Sequence, residues 1–217
     1  KTVDWSTLLQ TKQGLDSEFA SLVSDMEAGR VGALIVNDVN PAYDYHDAKR
    51  FAEALKKCKV SIALSYKLDE TADLCKYSAP VHHFLESWGD AEPVSGYTSM
   101  IQPTIAPLFS TRQYQDSLLK WSGSATSYET YFRDFWTKKL GGYETYAKAL
   151  QEGVVETAPA GLSTAIFNAA ATGAAVSAVE GLPKGGAIEL ALYENVAMGD
   201  GRQANNPWLQ ELPDPIT

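Results

Sequence analysis

The sequence predicts an α/β protein in which a parallel sheet is flanked by helices, followed by a helical segment and the start of a second β-containing region. Two short apolar runs, at residues 32–36 and 60–64, are bounded by turn-forming residues, as strands buried on both faces are. Helical spacing precedes the first run and separates it from the second. Helices and strands that alternate at this short pitch favour parallel pairing with right-handed crossovers.

The other elements of the first half follow from apolar spacing and from a capping residue. Apolar side chains recur at helical intervals over residues 15–26 and again over 48–55. Asp69 is a suitable N-cap for a short helix that ends at residue 74. Residues 77–81 supply a third extended segment after that helix.

The second half is predicted to be mainly helical. Residues 88–110 contain several prolines and are expected to form a long irregular loop, which usually serves a function or an interface. The expected helices are residues 113–119, 127–140 and 143–152, and the expected alternating strand is 188–193.

Two domains are predicted. The first, residues 1–123, is the α/β domain, and the second, residues 124–217, holds the helical segment, the strand and a terminal loop. The chain starts without a methionine and stops just after a motif-rich stretch. We therefore expect it to be a piece of a longer protein, with the second domain truncated.

The composition excludes several classes of function. The 217-residue chain has a net charge of -9, so it repels phosphate backbones, and nucleic acid is not expected as a partner. No apolar run approaches the roughly 20 residues that a membrane-spanning helix needs. Cys58 and Cys75 form no C-x-x-C pair, so no iron–sulfur or zinc site is expected from this chain. We interpret both cysteines as free thiols.

Two loops fall where a parallel sheet usually binds its ligand. Residues 37–40 and 65–69 directly follow the two predicted strands, and such sheets bind ligands at the carboxyl ends of their strands. Asn40 precedes a proline, which turns the chain sharply, and the start of the next helix could hold a phosphate. The alternative is a plain strand-to-helix turn, in which Asn and Asp are common. Neither a G-x-G-x-x-G motif nor a P-loop is present.

No catalytic or metal-ligating residue is predicted. His82 and His83 are adjacent, so their side chains diverge on a strand or a helix and do not easily share one ion. Glu86, Asp90 and Glu92 are carboxylates of the kind that act as acid and base, but we interpret them as a solvated acidic loop. No serine stands in a G-x-S-x-G nucleophile frame.

Four short motifs mark the predicted loops and strand ends: Val39-Asn40-Pro41, Asp69-Glu70-Thr71-Ala72, Ala79-Pro80 and Leu85-Glu86. Together they resemble the motifs of the molybdopterin oxidoreductase superfamily, of the dimethyl sulfoxide reductase type. The sequence of residues 82–92, 102–109, 111–113 and 204–216 more closely resembles one branch, the B subunit of alternative complex III, a bacterial quinol:cytochrome c oxidoreductase. The resemblance spans residues 31–121 and 187–217, and it implies a Rossmann-like parallel sheet.

The resemblance also implies a cofactor site, if the chain retains one. The residues that would bind the guanine dinucleotide arm of the molybdopterin cofactor are Asn37, Asp38, Asn40, Ser65, Asp69 and Thr71. The family pattern is broken at three places: Asp38 replaces the usual glycine, Ser65 replaces an acidic residue, and Cys75-Lys76 replaces an Ala-Asp pair. A carboxylate at position 38 would repel a pyrophosphate by on the order of 1 kcal/mol.

The resemblance places the chain in a respiratory electron-transfer complex on the periplasmic side of a bacterial membrane. Its partners would be the other subunits of the complex and an iron–sulfur half of the same chain, beyond these 217 residues. From the broken pattern we expect a scaffold that is not itself catalytic and has no cofactor of its own. The alternative is the cofactor-binding domain of an active molybdopterin (bis-guanine dinucleotide) oxidoreductase.

Overall fold

A computed structural model describes residues 8–11, 14–159, 168–180, 185–188, 190, 193–194 and 196–213. The chain divides into two compact units, Lys1–Leu162 and Ser163–Thr217. Within the described residues, the first unit contains a three-stranded parallel sheet and a three-stranded antiparallel sheet, so the predicted α/β class is confirmed. The predicted domains, residues 1–123 and 124–217, stay a prediction.

The parallel half of the first unit alternates helices with strands. Its elements are α1 (Asp16–Glu27), β1 (Ala33–Asn37), α2 (Pro41–Asp44), α3 (Ala48–Leu55), β2 (Val60–Ser65), α4 (Glu70–Leu74) and β3 (Tyr77–Pro80). The strands lie in the order β1-β2-β3 and are all parallel, with Ile35 opposite Ile62 and Ile62 opposite Tyr77. The predicted helices and extended segments of this half are confirmed.

Helices α1 and α3 pack together on one face of this sheet. Their buried core consists of Val23, Met26, Phe51, Ala54, Leu55 and Cys58. Leu34 of β1 packs against that core. The Asp47 side chain accepts the Arg50 amide and caps α3, and the Arg50 guanidinium pairs with Glu27 of α1 at 2.7 Å. Apolar burial and this ion pair therefore hold the two helices side by side.

Strand β1 is less buried than the sequence predicts. We expect burial on both faces, but Ile35 is 45% exposed. Ile35 lies on the face opposite Leu34 and Val36, and the core formed by α1 and α3 contacts the Leu34 face. Strand β1 is also an edge strand of the described sheet, whereas the central strand β2 is buried along most of its length. The prediction is therefore wrong for β1 and correct for most of β2.

An antiparallel sheet forms where the sequence predicts an irregular loop. After a 3-10 turn (Phe84–Glu86), its strands are β4 (Gly89–Val94), β5 (Tyr97–Ile101) and β6 (Val154–Glu156). Strands β4 and β5 form a hairpin, and β6 pairs with β5. The loop prediction is wrong because Pro93 hides the strand pattern, although an edge strand such as β4 tolerates proline. The buried Thr98 and Met100 show the alternation that could have revealed β5.

Three helices complete the described part of the first unit: α5 (Tyr114–Trp121), α6 (Tyr128–Leu140) and α7 (Tyr143–Glu152). Helices α6 and α7 form a second core with the antiparallel sheet, and its buried residues include Phe132, Trp136, Tyr146 and Met100. Gly141 ends α6 in a left-handed conformation, with φ of 81°. The three predicted helices of this region are confirmed.

The second unit contains helices α8 (Ala169–Glu180) and α9 (Pro207–Glu211) among its described residues. The strand predicted at 188–193 includes residues 189, 191 and 192, which lie outside the described residues. No helix in the described part of the chain is long and apolar enough to cross a membrane.

Candidate functional site

The loop after β1 brings a carboxylate to the carboxyl end of the parallel sheet. Asn37 ends β1 and Asp38 follows it, and both are exposed. The Asp38 backbone is left-handed, with φ of 49°, which no other described non-glycine residue shares. Glycine adopts such a backbone freely and aspartate tolerates it, so this geometry explains why the family pattern has glycine here. The Asp38 amide donates to the Leu64 carbonyl oxygen at 3.0 Å and ties the loop to β2.

The side chains of Asn40 and Thr71 join the loop after β1 to helix α4. The Asn40 amide oxygen accepts the Thr71 backbone N–H at 3.1 Å and the Thr71 hydroxyl at 2.7 Å. The Asn40 amide nitrogen donates to the Glu70 carboxylate at 2.7 Å. Thr71 is fully buried. The two residues therefore satisfy each other's polar groups and cross-link two segments about 30 residues apart.

Helix α2 has no backbone amide left for a phosphate in its first turn. Pro41 carries no N–H. The Ala42 amide donates to the Thr71 hydroxyl oxygen at 2.9 Å. The Tyr43 and Asp44 amides both donate to the Asn40 carbonyl oxygen, at 2.9 and 2.8 Å. An anion at this helix start would have to displace a bond within the protein.

The start of helix α4 is closed in the same way. Asp69 caps the helix by accepting the Ala72 amide at 2.8 Å, which confirms its predicted role as N-cap. The Thr71 amide is taken by Asn40. Two hydrogen bonds to the Glu70 carboxylate, one from the Asn40 side chain and one from the backbone amide of Glu70 itself, hold the pKa of Glu70 below its ordinary value. The first-turn amides of α4 are therefore also used within the protein.

Ser65 ends β2, where the family pattern has an acidic residue. It is 8% exposed, and its hydroxyl oxygen accepts the Lys67 amide at 3.2 Å. The structure thus brings Asn40 and Thr71 into direct contact, whereas the side chains of Ser65 and Asp69 accept amides of their own segment. Asn37 and Asp38 stay at the exposed rim.

The rim of this site is acidic. Residues 37–44 and 65–71 carry four carboxylates, at Asp38, Asp44, Asp69 and Glu70, against the lysine Lys67. Such a balance disfavours a dianionic pyrophosphate, which is normally held by backbone N–H groups and cations. In this structure the first turns of α2 and α4 offer a pyrophosphate no free backbone N–H group, and the rim has more carboxylates than cations. These two features disfavour the guanine dinucleotide arm of a molybdopterin cofactor.

A separate cavity of about 500 Å³ opens after β3. Its walls combine Trp88, Pro103, Ile105, Pro107, His82, Glu86, Asp116 and Glu129, among others. His82 Nδ1 lies 2.6 Å from the Thr111 hydroxyl oxygen and 3.9 Å from the Glu86 carboxylate. Sequence reasoning missed this cavity because its lining comes from segments far apart in the chain.

Glu86 is a structural clamp. Its carboxylate accepts the His83 and Leu108 backbone amides, each at 3.0 Å, and its side chain is 6% exposed. These hydrogen bonds, that from Leu108 foremost, hold the pKa of Glu86 below its ordinary value. The prediction of a solvated acidic loop is therefore wrong for Glu86, because the loop at residues 104–110 folds back over it.

The two adjacent histidines have different partners, as their spacing predicts. His82 faces Thr111, whereas the His83 ring accepts the Leu85 amide at 3.4 Å and lies against Phe84. Among the described residues, no group of three or more His, Cys, Asp or Glu side chains could hold a metal ion.

Comparison with known proteins gives a relative in sequence. Over 109 residues the chain is 31% identical to a protein of Nitratidesulfovibrio vulgaris Hildenborough named "Menaquinone reductase, molybdopterin-binding-like subunit". The match covers 48% of this chain and 16% of that protein, so the chain corresponds to a small part of its relative. No family model matches the chain.

Among solved structures, acetylene hydratase from Pelobacter acetylenicus is similar, with a TM-score of 0.49 and 14% identity, over 64% of this chain and 20% of that one. The sequence match and the four motifs quoted above agree with each other. The chain is therefore related, at low sequence identity, to the molybdopterin oxidoreductases.

Proposed function

We propose that the chain is the α/β part of a molybdopterin-binding-like subunit in a quinone-linked respiratory electron-transfer complex. In this proposal the parallel sheet is a scaffold without a cofactor of its own. Two lines of support are the name of its relative and the resemblance to the B subunit of alternative complex III.

The observation that carries the proposal is the closure of both helix starts by the Asn40–Thr71 cross-link. In a nucleotide site, these polar groups and amides would face the ligand. Here the backbone amides of Ala42 and Thr71 donate hydrogen bonds to side chains of the protein, those of Thr71 and Asn40. Asp38 adds a carboxylate where the family pattern has glycine. What remains is a rigid junction between two loops, which suits a structural role.

The partners in this proposal are the iron–sulfur half of the full-length chain and the neighbouring subunits, on the periplasmic side of a bacterial membrane. The loops after β3 offer apolar contact surface, since Phe84, Leu108 and Phe109 are 65%, 71% and 77% exposed. Large exposed apolar side chains of this kind are suited to a protein interface. Electron transfer would take place on iron–sulfur clusters outside these 217 residues.

The rival function is an active molybdopterin (bis-guanine dinucleotide) oxidoreductase. It would use Asn37, Asp38, Asn40, Ser65, Asp69 and Thr71 as cofactor contacts. Asn40 and Thr71 would then have to exchange their mutual hydrogen bonds for bonds to the ligand, against the negative charge of the rim.

Molybdenum and pterin analysis of the native full-length subunit, purified within its complex, tests the proposal. We expect iron in the complex, but neither stoichiometric molybdenum nor the fluorescence of oxidised pterin. Stoichiometric molybdenum and pterin would overturn the scaffold role and favour the enzyme.

A further inference from the structure

The amino-terminal end of the parallel sheet, opposite the candidate site, brings three segments together. The Val60 amide donates to the Gly32 carbonyl oxygen at 3.1 Å. The Lys57 ammonium donates to the Glu27 carbonyl oxygen at 2.8 Å. The Lys76 ammonium donates to the carbonyl oxygens of residues 58 and 59 at 2.9 and 2.7 Å. Backbone and side-chain bonds therefore place the turns before β1, β2 and β3 side by side.

These three turns carry a concentration of positive charge, which we name the basic end. Its residues are Arg30, Lys56, Lys57, Lys59 and Lys76. Three carboxylates lie near it: Asp25 is paired with Arg30, Glu53 is paired with Lys56, and Glu27 is paired with Arg50 and interacts with Lys57. Its five cations outnumber them, so the basic end keeps a net positive charge. It stands out on a chain whose net charge is -9.

The basic end acts independently of the acidic rim at the other end of the sheet. A strand as long as β2, which has six residues, spans about 20 Å. The Debye length at physiological ionic strength is about 8 Å, so charges at opposite ends of the sheet are largely screened from each other. The negative charge of the whole chain therefore does not cancel the local field.

The chemistry of the basic end favours a lipid surface over an acidic peptide. Four of its five cations are lysines, which are flexible point charges, and a planar guanidinium is better suited to bidentate carboxylate recognition. Two exposed apolar side chains begin the neighbouring strands, Tyr77 at 62% and Val60 at 36% exposed. Tyrosine beside lysine is a typical combination at the headgroup level of a membrane.

We propose that the basic end docks on the surface of an anionic phospholipid bilayer, with the lysines on the phosphates and Tyr77 at the headgroup boundary. The contact is peripheral, and it leaves the acidic rim facing away from the membrane. It does not depend on whether the opposite end of the sheet binds a cofactor, so its failure and that of the proposed function are distinguishable.

Vesicle flotation of the purified protein tests this proposal. We expect binding to vesicles of phosphatidylcholine mixed with phosphatidylglycerol at about 0.05 M salt and release at about 0.5 M, because salt screens the attraction. Vesicles of phosphatidylcholine alone should not bind. The double variant Lys56→Glu/Lys59→Glu should bind anionic vesicles at least about tenfold more weakly, since each lysine near an anionic surface contributes about a fivefold gain.

The matched control is Lys120→Glu/Lys148→Glu, which makes the same change in net charge on α5 and α7 and should keep binding. Tyr77→Ser, a change of an exposed residue, should weaken binding without changing the circular dichroism spectrum. If both double variants lost vesicle binding to the same extent, the proposal would be overturned, because the net charge alone would then explain binding. Absence of binding to anionic vesicles, or equal binding to neutral ones, would overturn it too. The proposal would also be overturned if the protein bound polyglutamate through the lysines of the basic end but did not bind vesicles. The partner would then be an acidic protein and not a bilayer.

Discussion

Asn40 and Thr71 satisfy each other's polar groups at the place where a nucleotide site would leave them facing a ligand. The same cross-link consumes the Ala42 amide, and the neighbouring Asp38 holds a backbone conformation that suits glycine. At the scale of single residues, the carboxyl end of the sheet is therefore built for internal contacts. Two substitutions measure the strength of this arrangement.

Asp38→Gly should stabilise the protein by about 0.5 kcal/mol, because glycine adopts the left-handed backbone without the strain of a Cβ. The free energy of unfolding in urea measures the effect. Asp44→Gly is the control, since Asp44 ends helix α2 and glycine there should destabilise by up to about 1 kcal/mol. A loss of stability in Asp38→Gly would show that the carboxylate itself makes a stabilising contact.

Thr71→Val should lower the free energy of unfolding by about 1–3 kcal/mol, since it keeps the volume but removes the hydroxyl. The Ala42 amide then loses its acceptor, and Asn40 keeps only its bonds to the Thr71 backbone amide and to Glu70. Urea unfolding of wild type and variant gives the difference. Thr126→Val, at an exposed position, should stay within about 0.5 kcal/mol of wild type. Equal stability of wild type and Thr71→Val would mean that the cross-link does not hold the two loops together.

At the scale of elements, the hairpin of β4 and β5 is held by a tight turn and by a clamp. Gly96 in the turn has φ of 86°, and a Cβ built there would lie 2.6 Å from the Thr157 carbonyl oxygen. Upstream, Glu86 fixes the 3-10 turn to the loop at residues 104–110 by accepting the Leu108 backbone amide, and it also accepts the His83 amide at the start of the turn. Both contacts join segments that are distant in sequence.

Gly96→Ala should destabilise the protein by about 1–3 kcal/mol more than Gly123→Ala does, because the added methyl group meets backbone only at position 96. Both glycines have nearly the same φ, 86° and 85°, so the backbone strain cancels in the comparison. Thermal or urea unfolding of the two variants checks the difference. Similar losses in both would show that the chain near Thr157 moves aside freely.

Glu86→Gln should lower the free energy of unfolding at pH 7, because the clamp loses its carboxylate. The pKa of Glu86 is lowered in the folded protein, so its contribution is present above the unfolded value, near 4.5, and is lost as the pH falls through the folded value. The gap between wild type and variant should therefore narrow below pH 4.5. Urea unfolding across this pH range measures the difference in the free energy of unfolding. The control is Glu144→Gln, at an exposed position, whose free energy of unfolding should stay close to that of wild type.

At the scale of the whole molecule, the first unit has charges of opposite sign at the two ends of its parallel sheet. The acidic rim at the carboxyl end disfavours anionic ligands, and the basic end favours them. This is the reverse of the arrangement in which the carboxyl ends of parallel strands hold a nucleotide. It agrees with a scaffold whose ligand-binding edge has changed its role.

Guanosine diphosphate should leave the melting temperature of the protein unchanged, because in the scaffold proposal the sheet offers it no binding site. A ligand that did bind the folded state would raise the melting temperature by mass action. Guanosine without phosphates is the control for effects of the base. A saturable rise with the diphosphate, lost in Thr71→Val, would contradict the scaffold role and support the rival enzyme.

The sequence by itself determined the alternating helices and parallel strands, since apolar spacing and turn residues act locally. It also determined the cap at Asp69 and the family resemblance of the loops. Only the tertiary structure decided the exposure of Ile35, the β4–β5 hairpin, the burial of Glu86, and the mutual contact of Asn40 and Thr71. The physical reason is that burial and hydrogen-bond partners depend on segments distant in sequence, whereas helix and strand spacing depends on near neighbours.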